Sequence, residues 1–209
     1  MANIRAKEAM EFRAGLPEKA YRYVKGVIKG RAKEAMEDPE KAYCYARDVI
    51  NGRWCQAELL FIDHPCLAYY YAKDVIRGRW SEAEPFIMKD PQWARSYAKA
   101  VIKGRWPEAE PYIMKVPQWA YYYANGVIKD RWPEAEDIIM TDPGYAYDYA
   151  RDVIGGRWPE AEPVIMMDPR HASCYARYII KGRWPEAEDI IMKVELHWRL
   201  YKDFLSTLS

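Results

Sequence analysis

Six tryptophans, Trp54, Trp80, Trp106, Trp132, Trp158 and Trp184, each stand 26 residues after the one before. Around them the chain rewrites one phrase, seen in full at Gly104-Arg105-Trp106-Pro107-Glu108-Ala109-Glu110. A period that holds over six copies without slipping means that one structural unit has been stacked on itself, which is how solenoids are built. The expected architecture is therefore all-α: an α-solenoid of about seven 26-residue helix-turn-helix repeats with atypical capping ends, forming one continuous domain.

Each unit reads as two helices. The longer is clearest from Asp90 to Gly104: Asp90 as N-cap, Pro91 at the first helical position, Lys103 near the end and Gly104 just past it. Ala94, Ala98 and Val101, flanked by Tyr97 and Ile102, fall at spacings of three and four and make one apolar stripe. The shorter helix is expected to start near Trp106-Pro107 and end near Met114, with Ile113 and Met114 inward. Pro111 leaves two forms open, because a proline that far in has no amide hydrogen for the turn. Either the helix runs through, or a turn of Trp-Pro-Glu-Ala-Glu precedes a very short one.

The ends depart from the frame. Ala replaces Trp at Ala32, and the step from Ala32 to Trp54 is 22 residues, a loss of four just after Glu34-Ala35 that should shorten the helix there without destroying it. Residues 1–53 are read as degenerate N-terminal repeats or a cap, 54–193 as regular αα repeats and 194–209 as a C-terminal capping helix.

Several columns look structural. Tyr23, Tyr45, Tyr71, Tyr97, Tyr123, Tyr149, Tyr175 and Tyr201 occupy one slot, the pattern of a core ladder in which rings pack on rings and hydroxyls find a carbonyl or water. The six tryptophans form a second ladder that plugs each long helix against the next short one. Met88, Met114, Met140, Met166 and Met192 read as gap-fillers in the short-helix core. Arg31, Arg53, Arg79, Arg105, Arg131, Arg157 and Arg183 are expected to pair with the acidic column Glu82, Glu108, Glu134, Glu160 and Glu186 and so fix the stacking register.

Little points to chemistry. The net charge of +1 comes from 32 basic and 31 acidic side chains, so only charge placement could imply a charged partner. No run of eighteen apolar residues exists and the start lacks a secretory apolar run, so a soluble chain in the cytoplasm, without membrane contact, is expected. Cys44, Cys55, Cys66 and Cys174 do not recur at one slot, as a built-in disulfide or zinc scaffold would require, and read as reduced thiols. His64, His171 and His197 occupy unrelated slots outside any metal spacing. Paired carboxylates such as Glu82 and Glu84 recur in five units, whereas a catalytic pair is needed once. No enzyme, catalytic residue, metal or cofactor is expected.

The slots that vary are more informative, because stacking does not dictate them. Lys25, Arg47, Lys73, Lys99, Arg151 and Arg177 share one slot on the long helix, with Asn125 the exception. Four residues on, Lys29, Arg77, Lys103, Lys129 and Lys181 share another, interrupted by Asn51 and Gly155. Slots four apart lie on one helical face, so stacking should draw a basic stripe down one side. Arg22, Cys44, Tyr70, Ser96, Tyr122, Asp148 and Cys174 are expected on that face too. Three uses compete: a solvated face that complements the helix C-terminal dipoles, a grip on an acidic protein partner, and a nucleic-acid surface. The candidate partner-binding residues are Lys73, Arg77, Lys99, Lys103, Lys129, Arg151, Tyr70 and Tyr122, on a chain expected to act as a monomer.

The run Tyr149 to Met166, Tyr-Ala-Arg-Asp-Val-Ile-Gly-Gly-Arg-Trp-Pro-Glu-Ala-Glu-Pro-Val-Ile-Met, resembles a tandem repeat of largely uncharacterised bacteriophage proteins over about residues 39 to 193. That resemblance implies a small phage-encoded helical-repeat protein and transfers no catalytic or ligand residue. It implies as partner a host protein in the bacterial cytoplasm, such as a component of a defence system.

Overall fold

The computed structural model describes residues 30–208, which are helical throughout with no strand among them. Fourteen helices alternate long and short in one frame. They are α1 (30–35), α2 (Pro39–Tyr45), α3 (Cys55–Glu58), α4 (Pro65–Tyr70), α5 (Glu84–Ile87), α6 (Pro91–Tyr97), α7 (Glu110–Ile113), α8 (Pro117–Tyr123), α9 (Pro133–Ile139), α10 (Pro143–Tyr149), α11 (Glu162–Ile165), α12 (Pro169–Tyr175), α13 (Pro185–Ile191) and α14 (Glu195–Ser206). The long helices α2, α4, α6, α8, α10 and α12 each start 26 residues apart, and Glu195 opens α14 at the same interval. The chain is thus an α-solenoid of six two-helix units closed by a seventh long helix.

Successive long helices pack on one another in a row, and each short helix from α5 onward packs on the long helix before it and the one after it. The short helices therefore staple a single layer of long ones. Small residues set the spacing of that layer. Ala42, Ala46, Ala68, Ala72, Ala94, Ala98, Ala120, Ala124, Ala146, Ala150, Ala172 and Ala176 are all fully buried.

Local chemistry accounts for the helix ends. The side chains of Asp38, Asp90, Asp142 and Asp168 accept backbone N–H groups of the first turn, and the proline that follows each needs no partner for an amide hydrogen. The short helix takes both of the forms that the sequence leaves open. Where Pro85, Pro111 and Pro163 stand, a turn precedes a four-residue helix; where Asp137 and Asp189 stand, the helix runs seven residues, from Pro133 and Pro185. A proline ring cannot donate to the preceding turn, and the aspartate can. In α1, a helix persists over 30–35 beside the four-residue loss.

Each of the six long helices α2 to α12 runs into one π-helical turn, at Ala46–Ile50, Tyr71–Ile76, Ala98–Ile102, Ala124–Ile128, Ala150–Ile154 and Ala176–Ile180. A left-handed residue then stops it: Asn51, Arg77, Lys103, Lys129, Gly155 or Lys181. Lys103 and Gly104 both donate their backbone N–H to the Ala98 carbonyl, at 2.7 and 3.3 Å. This corrects the sequence expectation twice. Lys103, and not Gly104, is the first residue past the helix, and Lys103 therefore does not lie on the helix face. The breaks at Asn51 and Gly155 have a physical reason, since glycine and asparagine tolerate positive φ best.

Tyr97 shows how units interlock. Its ring packs on Trp106 of its own unit at 5.1 Å. Its hydroxyl accepts the Trp80 backbone N–H at 2.7 Å and donates to Glu84 at 2.9 Å, both in the unit before. The same bridge recurs at Tyr71, Tyr123, Tyr149, Tyr175 and Tyr201. Tyr23, the first of the column, lies outside the described residues. The rings stack on tryptophan and not on the tyrosines above and below, a second departure from expectation. Trp80, Trp106, Trp132, Trp158 and Trp184 are buried, and Trp54, partly buried, packs on Tyr45. Within each short helix the deepest side chain is Ile87, Ile113, Ile139, Ile165 or Ile191, fully buried, whereas Met88, Met114, Met140 and Met166 are only partly buried against the core and Met192 is exposed.

The arginine column also differs in partner. Arg79 grips both oxygens of Glu84, at 2.8 and 2.7 Å, and Arg53, Arg105, Arg131, Arg157 and Arg183 do the same five residues on. Glu82, Glu108, Glu134, Glu160 and Glu186 stay exposed. The pair lies within one unit; what crosses between units is the tyrosine hydroxyl. Glu84 is only 8% exposed and so depends on its three donors. Burial pushes its carboxyl up, but the bonds from Arg79 and Tyr97 reverse that and leave it below the usual glutamate range.

Candidate anion-binding face

The C-terminal ends of the long helices lie side by side, and between them run clefts floored by the π-helical turns. One, of about 200 Å³, is lined by Lys73, Arg77, Gly78, Ala100, Val101 and Lys103. The next, of about 470 Å³, is lined by Lys99, Lys103, Gly104, Asn125, Gly126, Val127 and Lys129. Lys103 belongs to both, because its left-handed backbone turns it out at the ridge between them. Five of the eight sequence-predicted residues thus gather here, although helical spacing is not what unites them. Neither lining contains a carboxylate.

The other three are placed differently. Tyr70 lies beside Lys73, whose ammonium sits 5.7 Å from the ring centroid. Tyr122 stacks at 5.9 Å on Trp119 and meets the Arg95 guanidinium at 5.7 Å. Arg151 is engaged by its own neighbours, with Asp148 at 2.9 Å and Asp152 at 2.6 Å. It is therefore an internal ion pair and not an open cation. Arg22, Lys25 and Lys29 lie outside the described residues.

Carboxylates on the long helix decide which cations stay open. Asp48, Asp74 and Asp152 share one slot; Asp48 and Asp152 each bind the arginine before them, and Lys73 lies 3.9 Å from Asp74. Asp74 and Asp152 also accept the hydroxyls of Tyr43 and Tyr121 from the preceding unit, at 3.0 and 2.6 Å. In the two central units that slot holds Ala100 and Gly126. Among the described residues, Lys99, Lys103 and Lys129 accordingly have no ion-pair partner.

Arg95 is the residue that sequence reasoning missed. It takes the slot of Tyr43, Tyr69, Tyr121 and Tyr147 and points at Gly126. Its Nε is buried without a hydrogen-bond partner, and burial holds the guanidinium below its ordinary value. The sequence carried the signal as the absence of an aspartate at Ala100 and Gly126.

No group of three or more His, Cys, Asp or Glu among the described residues is placed to hold a metal ion. The four cysteines are free thiols. No helix among the described residues is long and apolar enough to cross a membrane.

A stapled row of long helices with an open cationic face defines a helical-repeat protein of the α-solenoid class. The chain matches no protein-family model, no curated protein and no solved structure.

Proposed function

We propose that this chain is a non-enzymatic binding protein whose long-helix ends take an acidic segment of another protein. The carrying observation is the pair of adjoining clefts that share Lys103 and present Lys73, Arg77, Lys99, Lys103 and Lys129 without a carboxylate in either lining. A protein with nearly balanced charge gathers five cations in two adjoining clefts, which favours electrostatic complementarity with a specific partner over a general attraction to polyanions. The resemblance of Tyr149 to Met166 to phage tandem repeats is what supports reading the partner as a host protein in the bacterial cytoplasm, such as a defence component that the chain, acting as a monomer, would inhibit.

The test reverses Lys73, Lys99 and Lys103 to Glu. Affinity capture from an expressing bacterial host should retain an acidic protein on the unaltered chain and lose it on the triple variant, with circular dichroism and melting unchanged. Capture that survives the reversal places the partner elsewhere on the solenoid.

A second reading, a nucleic-acid surface, is favoured by one arrangement: Tyr70 and Tyr122 lie beside Lys73 and Arg95, aromatic planes next to cations. It requires affinity for an oligonucleotide that falls steeply with salt. Absence of a mobility shift at low salt removes it.

A further inference from the structure

One contact between units is rewritten at the centre of the solenoid. Between the first and second full units, Tyr43 donates to Asp74; between the fourth and fifth, Tyr121 donates to Asp152. Between the third and fourth, the equivalent pair is Arg95 and Gly126. A cation has replaced the hydroxyl, and the carboxylate it would face is missing. A Cβ at Gly126 would lie 3.1 Å from Arg95 Nη2 and 3.7 Å from Lys99 Nζ, so two cations converge on the point where three of the units carry an acid, Asp48, Asp74 or Asp152.

The surroundings suit an anion of more than one charge. Lys99, Lys103 and Lys129 line the 470 Å³ cleft, Asn125 adds an amide, and Arg95 stands behind Gly126 with its buried Nε unpaired. Burying a guanidinium without a counter-charge is costly, and a planar donor fork recovers that cost best against a phosphate or carboxylate. With a guanidinium and three ammonium groups and no acid, a dianion is matched better than a single carboxylate.

We propose that the cleft at Gly126 is a binding site for a small phosphate-class dianion, which takes the place that the Asp74 and Asp152 carboxylates hold at two other junctions between units. It bonds to Arg95 and Lys99 at its base and to Lys103 and Lys129 at its mouth. The proposal needs no protein partner and stands or falls apart from the partner reading of the same face.

Isothermal titration of the full chain with inorganic pyrophosphate tests it. Two variants carry the same change of charge. Gly126→Asp supplies the missing carboxylate, with only the flexible end of Arg95 to move aside. Gly156→Asp introduces an acid where nothing lies within 4 Å of the new Cβ, in the slot that Asp130 already fills. The unaltered chain and Gly156→Asp should bind one pyrophosphate with affinities within about 2-fold of each other, and Gly126→Asp should weaken binding by at least about 10-fold while raising the melting temperature. Arg95→Gln should also weaken binding, and it decides the matter if Gly126→Asp misfolds. No heat from the unaltered chain, equal binding by both aspartate variants, or full binding by Arg95→Gln overturns the proposal.

Discussion

The Tyr97 hydroxyl accepts the backbone N–H of Trp80 at 2.7 Å, and through this bond one unit holds the chain that leads into the short helix of the unit before it. Because the same hydroxyl also donates to Glu84, which the exposed Arg79 grips with two bonds, the stacking register rests on a partly buried four-residue polar cluster repeated along the solenoid. Register is therefore specified by directional bonds as well as by burial.

Tyr97→Phe should destabilise the chain by about 1–3 kcal/mol, because it leaves the buried Trp80 amide without its acceptor and takes one of three donors from Glu84. Tyr178→Phe, at an exposed ring, should change stability by no more than about 0.5 kcal/mol. Urea unfolding followed by circular dichroism separates the two.

Arg105→Gln should cost about 1–3 kcal/mol, since Glu110 is buried and loses both bonds from Nε and Nη2. Glu108→Gln, on the exposed acidic column, should cost under about 0.5 kcal/mol. Equal effects would restore the pairing expected from sequence.

Lys103→Gly should stabilise by roughly 1 kcal/mol, because a lysine is held at φ +62° where glycine carries no penalty. Gly155→Ala should destabilise by a similar amount, at φ +69°. Thermal melts of the two variants should move in opposite directions.

Stability should fall at both ends of the pH scale. The bonds from Arg53 and Tyr71, and from Arg79 and Tyr97, outweigh burial and hold Glu58 and Glu84 below the usual range, and Arg183 does so for Glu188. Their contribution is complete above the unfolded value of about 4.3 and is lost as pH falls through the lower folded values. Burial raises Tyr71, Tyr97, Tyr123, Tyr149 and Tyr201, and pushes Tyr175 up to about 12. That contribution is complete below the unfolded value of about 10 and is lost as pH rises through the folded values. Tyrosinate absorbance from the column should appear together with the loss of helical signal and not before it.

The period, the Asp90 and Pro91 start signals and the Ala94 and Ala98 stripe were legible because each rests on local spacing. The partner of Arg105 was not. Arg105 precedes the short helix on extended chain, so helical spacing rules do not govern its reach, and the bond goes to Glu110 and not to Glu108. The placement of Lys103 was hidden by Gly104, whose residue type suggested the left-handed position that Lys103 takes; Asn51 and Gly155 were the better signal. The cationic clefts were half legible. Lys99 and Lys103 could be read, but Arg95 gains meaning only when stacking sets it against Gly126 of the next unit.

Deleting one repeat tests the interlock most directly. Removing residues 91–116 joins Asp90 to Pro117 and brings Tyr123 to the position, seventeen residues after Trp80, that Tyr97 holds in the full chain. Per-residue helicity and a single cooperative melt should survive, with lower stability from one lost interface, whereas removing residues 91–103 should abolish the cooperative transition. If the two deletions unfold alike, the units are not interchangeable modules held by a tyrosine bridge, and the account is wrong.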